Sequence, residues 1–463
     1  MAVANAACLA GTVLLVHRRA GRWAATATAL GLALAVRSMR PAIFAAIWNP
    51  WAGVAPLVLL VAVAWSIAAG DRRLWPLGVA LASYCAQAHL TYVFPAVGLL
   101  AVAAAFEVGS AVAARRSPAD AGPRPRWPLV AAVVVGAVCW APPLIDQLTG
   151  DPGNLTVVAD ANDADRERAG ADAAGAAVSR STGVVPAFAG DERLDGFGVV
   201  DGDAGPGWRA GTAAAVLVGV VALGALAARR RDRTTASAVA IALVLVATAA
   251  LVAATMPLER QIASVYSFRW FTVAGLVAWL ALGLAATRAL RPGVAADDAS
   301  HTRPALAGSG RRSWGHVAGG IAAVALVAVA VVAADGRIGA KDTWPFAPAD
   351  RLGDEVVAAT EPGARYVLDP SGQFDIAFSP ALAWRLREAG RHPVLHGNRG
   401  DAFGERYKPT GERCAGRIVL QDRLADLPAG GRRIGRAPLR DAPGNEPFVW
   451  LVLSPDRSRA GLC

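Results

Sequence analysis

The chain has 463 residues, of which 54% are hydrophobic and 18% charged, with a formal net charge of +10 and a mean hydropathy of +0.39. A soluble domain carries about 25% charged residues, so one water-soluble fold is excluded for most of the chain. The positive charge is arginine, with lysine only at Lys341 and Lys408, and it lies in short clusters between apolar blocks; this pattern orients membrane spans and is not the basic face of a nucleic-acid binder.

Apolar windows predict about ten spans. They fall near 2–16, 23–38, 51–70, 75–89, 91–113, 128–147, 209–228, 236–256, 270–288 and 316–334. The clusters "HRRAGR", "DRR", "RRSPADAGPRPR", "RRRDR" and the loop from Arg291 to Arg312 then share one side, which the positive-inside rule makes cytoplasmic. The outer side receives the polar stretch Asp151–Trp208 and everything after Asp335. Arg37 and Arg40, in "RSMRP", dissent by falling outside, which makes them binding candidates. Residue 1 also falls outside, and no basic residue precedes Arg18. The expectation is a chain that lacks a preceding span and outer loop.

After Asp335 the pattern changes. "ARYVLDP", "HPVLHG", "GRIVLQD" and "FVWLVLSP" read as strands. "SPALAWRLREAG" reads as a helix with Ser379 as N-cap, Pro380 at its first position and Gly390 as its stop. The expected fold class is an all-α polytopic membrane helical bundle over 1–334, with an outer loop at 149–208, followed by a small extracytoplasmic α/β domain over 335–463. Cys414 and Cys463 could pair in that domain or be two unrelated thiols; Cys8, Cys85 and Cys139 lie in or beside apolar runs.

Polar groups at membrane depth are costly and are therefore candidates for function. Four sets lie at outer span ends. In "ASYCAQAHLTYVFP", Gln87, His89 and Tyr92 fit either contacts to a head group or sugar, or the satisfaction of two helix ends. In "IWNPWAGVAP", Trp48 and Trp51 fit an interfacial belt, with an aromatic platform for a sugar as the alternative. In "CWAPPLIDQLTGDPGNL", Pro142 and Pro143 should kink or end a helix. Asp146 and Gln147 follow as a base or ligand, or as a solvated loop start. In "PLERQIASVYSFRWF", Arg260 and Arg269 match phosphate oxygens or snorkel to lipid. No Walker A loop, HExxH, GxSxG or Cys/His zinc pattern occurs, and none of His301, His316, His392 and His396 has a defensible partner. No cofactor is implied, and the residues neither require nor exclude a divalent metal. Glu107 is the main acid within a span and lies toward its cytoplasmic end, which argues against an ion-coupled transporter.

The ordered segments "NPWAGVAPLVLLVAVAWSIAAGD", "SYCAQAHLTY" and "CWAPPLIDQLTGDPGNL" resemble actinobacterial membrane glycosyltransferases of the GT-C superfamily, family 39 type. The resemblance covers Ala2 to Ala334 and loosely the tail. It implies a polyprenyl-phosphate-linked sugar donor used on the outer face of the plasma membrane, a cell-envelope glycan or lipid acceptor, and an acidic general base in the first outer loop. On this reading the chain begins after that loop, so no catalytic residue carries over. The candidate substrate contacts remain the outer-end residues Gln87, His89, Tyr92, Asp146, Gln147, Arg269, Arg37 and Arg40, which would bind the carrier phosphate and sugar. A non-catalytic glycan-assembly protein and a lipid-linked sugar transporter or flippase remain alternatives.

Overall fold

The computed structural model describes residues 1–39, 44, 49–116, 125–160, 167–189, 205–257, 268–290, 346–370, 375–395, 414–421, 431–438 and 448–454. The chain divides into two units, Met1–Arg337 and Ile338–Cys463.

The first unit is helical. Its elements are α1 (Ala2–Met39), α2 (Val54–Ala68), α3 (Trp75–Ala88), α4 (Val93–Arg116), α5 (Trp127–Thr149), α6 (Asn154–Asp160), α7 (Gly170–Thr182), α8 (Gly207–Arg229), α9 (Arg233–Thr255) and α10 (Phe271–Leu290). Among the described residues, six stretches are long and apolar enough to cross a membrane: Pro50–Ala68, Leu90–Arg115, Trp127–Thr149, Gly207–Arg229, Arg233–Thr255 and Phe271–Leu290. The window predicted at 75–89 forms α3, whose 14 residues rise only about 21 Å against a hydrocarbon core of about 30 Å. The window at 316–334 lies outside the described residues.

The first two predicted windows are the arms of α1. Gly21 interrupts it at φ 80°, ψ −178°, a backbone region that favours glycine. The chain reverses there. A straight 38-residue helix would be about 57 Å long, yet the Asn5 amide donates to the Phe44 carbonyl at 2.8 Å. The arms therefore lie antiparallel, and Arg18, Arg19 and Arg22 gather at the turn.

The arginine end of the bundle is laced by ion pairs. Arg19 meets Asp71 at 2.8 Å, Glu107 sits between Arg72 and Arg233, and Arg288 meets Asp232 at 3.4 Å. Asp232 also caps α9 by accepting from the Thr235 backbone N–H. Arg233 donates to the last carbonyl of α2, Ala68, at 2.6 Å. Helix-terminal carbonyls have no intrahelical donor, so this contact joins two helix ends. The apolar core between the ends includes Leu57, Leu60, Leu99, Ile241, Leu245 and Phe271, all buried. Valines and leucines on the outer faces of α5 and α8, such as Val133, Val138 and Val218, are exposed, as lipid-facing positions require.

The stretch expected as a polar outer loop is not all loop. Within it, α7 packs against α8, α9 and α10. Ala173, Ala176 and Ala177 are fully buried, as are Ser179, Ser181 and Thr182 at its end. The Trp279 indole N–H donates to the Thr182 carbonyl at 2.9 Å, and a Cβ at Gly275 would collide with the Ser181 carbonyl. Trp279 is eight residues into α10, so α7 reaches about 12 Å down that helix. Its small residues escape hydropathy windows but permit close helix contact.

The second unit is a five-stranded sheet with helices α11 (Phe346–Ala359) and α12 (Asp375–Glu388). Its strands are β1 (Arg365–Pro370), β2 (His392–Leu395), β3 (Gly416–Gln421), β4 (Arg432–Pro438) and β5 (Phe448–Ser454), in the order β2-β1-β3-β5-β4. β1 is parallel to β2 and β3, and β5 is antiparallel to β3 and β4. Leu352, Val356, Tyr366, Leu368, Leu382, Leu386 and Ile418 form the core under the two helices. The four strands read from sequence are β1, β2, β3 and β5; the predicted helix begins earlier, at Asp375. The unread strand β4 lies at the edge, where Arg432, Arg433, Arg436 and Pro438 are tolerated and blunt further pairing. Cys414 is disulfide-bonded, whereas Cys8, Cys85 and Cys139 are free.

Candidate functional site

The end of the bundle opposite the arginines holds most of the residues singled out in the sequence. It collects the α3–α4 junction, the end of α5, the starts of α7 and α10, and the end of α1. Its chemistry begins with helix interruptions.

The first interruption is before α2, where a one-turn helix, Asn49–Ala52, gives way at Gly53 to α2. The Tyr92 hydroxyl donates to the Pro50 carbonyl at 2.6 Å, and the Cys85 thiol to the Gly53 carbonyl at 3.8 Å. Tyr92 is 1% exposed and its ring lies 6.3 Å from Trp270. It fastens the core and presents no free face to a solute.

The second interruption is the Pro142–Pro143 pair inside α5. Proline has no N–H, so the carbonyls four residues earlier, on Val138 and Cys139, lose their helical donors. The Gln87 amide donates to the Cys139 carbonyl at 2.9 Å. One residue on, the Trp140 indole donates to the Ser83 hydroxyl at 3.1 Å. Both bonds tie α5 to α3. The third interruption is the α3–α4 junction, where His89 is extended and its Nδ1 lies 2.9 Å from the Thr91 hydroxyl. His89 is half-buried and meets the Tyr92 ring edge-on at 6.4 Å.

Asp146 and Gln147 have a comparable task. The Asp146 carboxylate accepts from the Asn154 N–H at 3.0 Å. The Gln147 side-chain oxygen accepts from the N–H groups of Leu155 and Thr156 at 2.7 and 3.1 Å, and its amide donates to the Thr156 hydroxyl at 2.9 Å. These are the orphan donors that open α6. The two side chains cap a helix from eight residues upstream, across the turn Gly150–Gly153.

The arginines are more dispersed. Arg269 is half-buried between Phe268 and Trp270, both fully buried. Arg37 is exposed near the end of α1, beside Ser38, whose hydroxyl donates to the Ala187 carbonyl just beyond α7. Arg40, Trp48, Glu259, Arg260 and Tyr266 lie outside the described residues, as do His301, His316 and His396.

Two residues that the sequence reading passed over belong here. Arg168 donates to the Thr255 carbonyl at 2.7 Å, tying the start of α7 to the end of α9. Arg209 is 6% exposed and donates to the Val185 carbonyl at 2.9 Å. Neither could be found from local pattern, because each bond joins segments far apart in sequence. Among the described residues, no group of three or more His, Cys, Asp or Glu side chains is placed to hold a metal ion.

Chemically, this end is a layer of polar side chains bonded into the fold. Gln87, Tyr92, Asp146 and Gln147 each have a side-chain hydrogen bond to the fold. Arg37 and Arg269 add cationic groups near the same end. No family model, no curated protein and no solved structure matches the chain.

Proposed function

We propose that the chain is a multi-pass plasma-membrane glycosyltransferase of the GT-C type. It moves a sugar from a polyprenyl-phosphate carrier to a cell-envelope acceptor at the face opposite the arginine clusters. In this reading the chain crosses the membrane several times, and the α/β unit is extracytoplasmic. The observation that carries the reading is α7: a helix from the longest polar stretch between spans, Gly170–Thr182, packs against α8, α9 and α10 at the end where Arg37 and Arg269 lie. The disulfide at Cys414 fits an oxidising compartment for the second unit. The arginine end fits the cytoplasmic side. Arg37 and Arg269 are the cations this reading assigns to the carrier phosphate.

A second reading, a non-catalytic protein of envelope-glycan assembly, is favoured by one observation. Asp146 and Gln147, the nominated acid and its neighbour, are both engaged as helix caps. A coupled transporter fits less well, because Glu107 is paired with two arginines at the bundle's end. The deciding experiment supplies the purified chain, in liposomes, with a radiolabelled polyprenyl-phosphate sugar and an envelope acceptor extract. Label moving to the acceptor supports transfer. Donor retained without transfer favours the assembly protein, and donor carried across the bilayer favours a flippase. Absence of all three overturns the proposal.

A further inference from the structure

A second feature lies at the other end of the bundle and is independent of the glycosyl-transfer reading. An apolar cleft runs between the two arms of α1, the inner half of α2, the start of α9 and α10. Its floor includes Val58, Val61 and Ile241. Its rim residues Val16, Ala20, Ala24, Val277, Leu280 and Leu284 are each half-buried. Two hydroxyls face it, Thr12 and Thr28, and each donates within its own helix, to Cys8 and Ala24. The Trp65 indole, also in the wall, donates to the Thr234 carbonyl at 2.9 Å. Every donor of the lining is thus already used and the remaining lining is apolar, so the cleft suits hydrocarbon better than water.

Size and position narrow the occupant. Along each arm of α1 the lining runs over nine residues, Thr12 to Ala20 and Ala24 to Leu32, a rise of about 12 Å. That is close to one leaflet of a hydrocarbon core about 30 Å thick. The cleft ends at the Gly21 turn, where Arg18 and Arg22 are exposed and Arg19 is held by Asp71. Arg22 stacks over Trp23, which is 75% exposed, a residue type that marks the membrane–water interface. On α10, Arg288 lies one turn beyond the rim residue Leu284.

We propose that this cleft is a binding site for one anionic phospholipid of the leaflet at the arginine end. An acyl chain lies between the arms of α1 and α10, and the head-group phosphate is held by Arg18 and Arg22. The chain-length match assigns the occupant to a single leaflet, and the arginines at the mouth assign its charge.

The test uses the full chain in mild detergent. Phosphatidylglycerol and phosphatidylcholine with the same acyl chains are added, and retention is read by native mass spectrometry. The parent should keep one phosphatidylglycerol under conditions that strip phosphatidylcholine. Arg18→Gln/Arg22→Gln changes only exposed positions and should weaken phosphatidylglycerol roughly tenfold or more, leaving phosphatidylcholine unchanged. Ala24→Phe should block the rim and weaken both lipids, with thermal unfolding recorded alongside to show that the variant is folded. If Ala24→Phe does not fold, the arginine pair decides the matter alone. Equal retention of the two head groups by the parent, an unchanged double variant, or preferential retention of an added polyprenyl phosphate would each overturn the proposal.

Discussion

Gly53→Ala tests whether the Tyr92 anchor organises the end of the bundle. The backbone at Gly53 is ordinary helical, φ −79° and ψ −16°, so alanine is not strained there. On helix propensity alone it should stabilise by about 0.5–1 kcal/mol. Packing points the other way. A Cβ at residue 53 would lie 2.7, 2.9 and 3.0 Å from three ring atoms of Tyr92. That ring is 1% exposed, with its hydroxyl bonded to Pro50, so it has nowhere to swing. Overpacking costs about 1–3 kcal/mol, and a displaced hydroxyl leaves the Pro50 carbonyl unsatisfied for about 1–3 kcal/mol more. The net expectation is destabilisation by about 2 kcal/mol or more. Unfolding in mixed dodecyl maltoside–SDS micelles, followed by tryptophan fluorescence, measures it. In a Tyr92→Leu background the clash is gone, and the same substitution should become neutral or slightly stabilising, a coupling of more than about 1 kcal/mol. A Gly53→Ala chain within about 0.5 kcal/mol of the parent would refute the reasoning.

The proline strut gives a second cycle: Gln87→Leu should cost about 1 kcal/mol, but little once Pro143→Ala restores the helical donor to Cys139, as unfolding of the four chains will show. Asp146→Ala should destabilise by about 1 kcal/mol as a lost cap, whereas Asp146→Asn keeps a capping oxygen and should be nearly neutral; loss of transfer by Asp146→Asn at full stability would give the carboxylate a role beyond capping. Glu107→Gln removes the shared partner of Arg72 and Arg233, and should cost about 1–2 kcal/mol, because both arginines are partly exposed. Unfolded without reductant, the chain should show three reactive thiols, rising to five after reduction, counted by maleimide mass shift.

Legibility in the sequence followed the physics of each signal. Hydropathy is local, so the long apolar helices and the strands β1, β2, β3 and β5 could be read directly. The edge strand β4 could not, because arginine and proline are what an edge permits. Helix α7 was hidden for the opposite reason: alanine, glycine and serine carry little hydropathy, and their value is in close approach. The polar residues Gln87, Tyr92, Asp146 and Gln147 stood out in the sequence against their apolar surroundings. Their partners were not readable. That Gln87 serves a carbonyl 52 residues away depends on α3 lying beside α5, which no spacing rule conveys. The consequence of Pro142 and Pro143 for Val138 and Cys139 was readable in principle, since it needs only the four-residue offset of a helix.

The placement of α7 also sets an order of events. Its packing partners α8, α9 and α10 are all made after it. When its thirteen residues leave the ribosome, the groove they will fill does not exist. The segment carries Asp172 and Arg180 and is too short to be held in a bilayer by itself. Its buried alanines and serines have no complete packing surface until those three helices are present, so α7 takes its final place only after them. The docking of α7 is therefore completed only once α10 has been made, and a truncation before Phe271 would leave α7 without one wall of its groove.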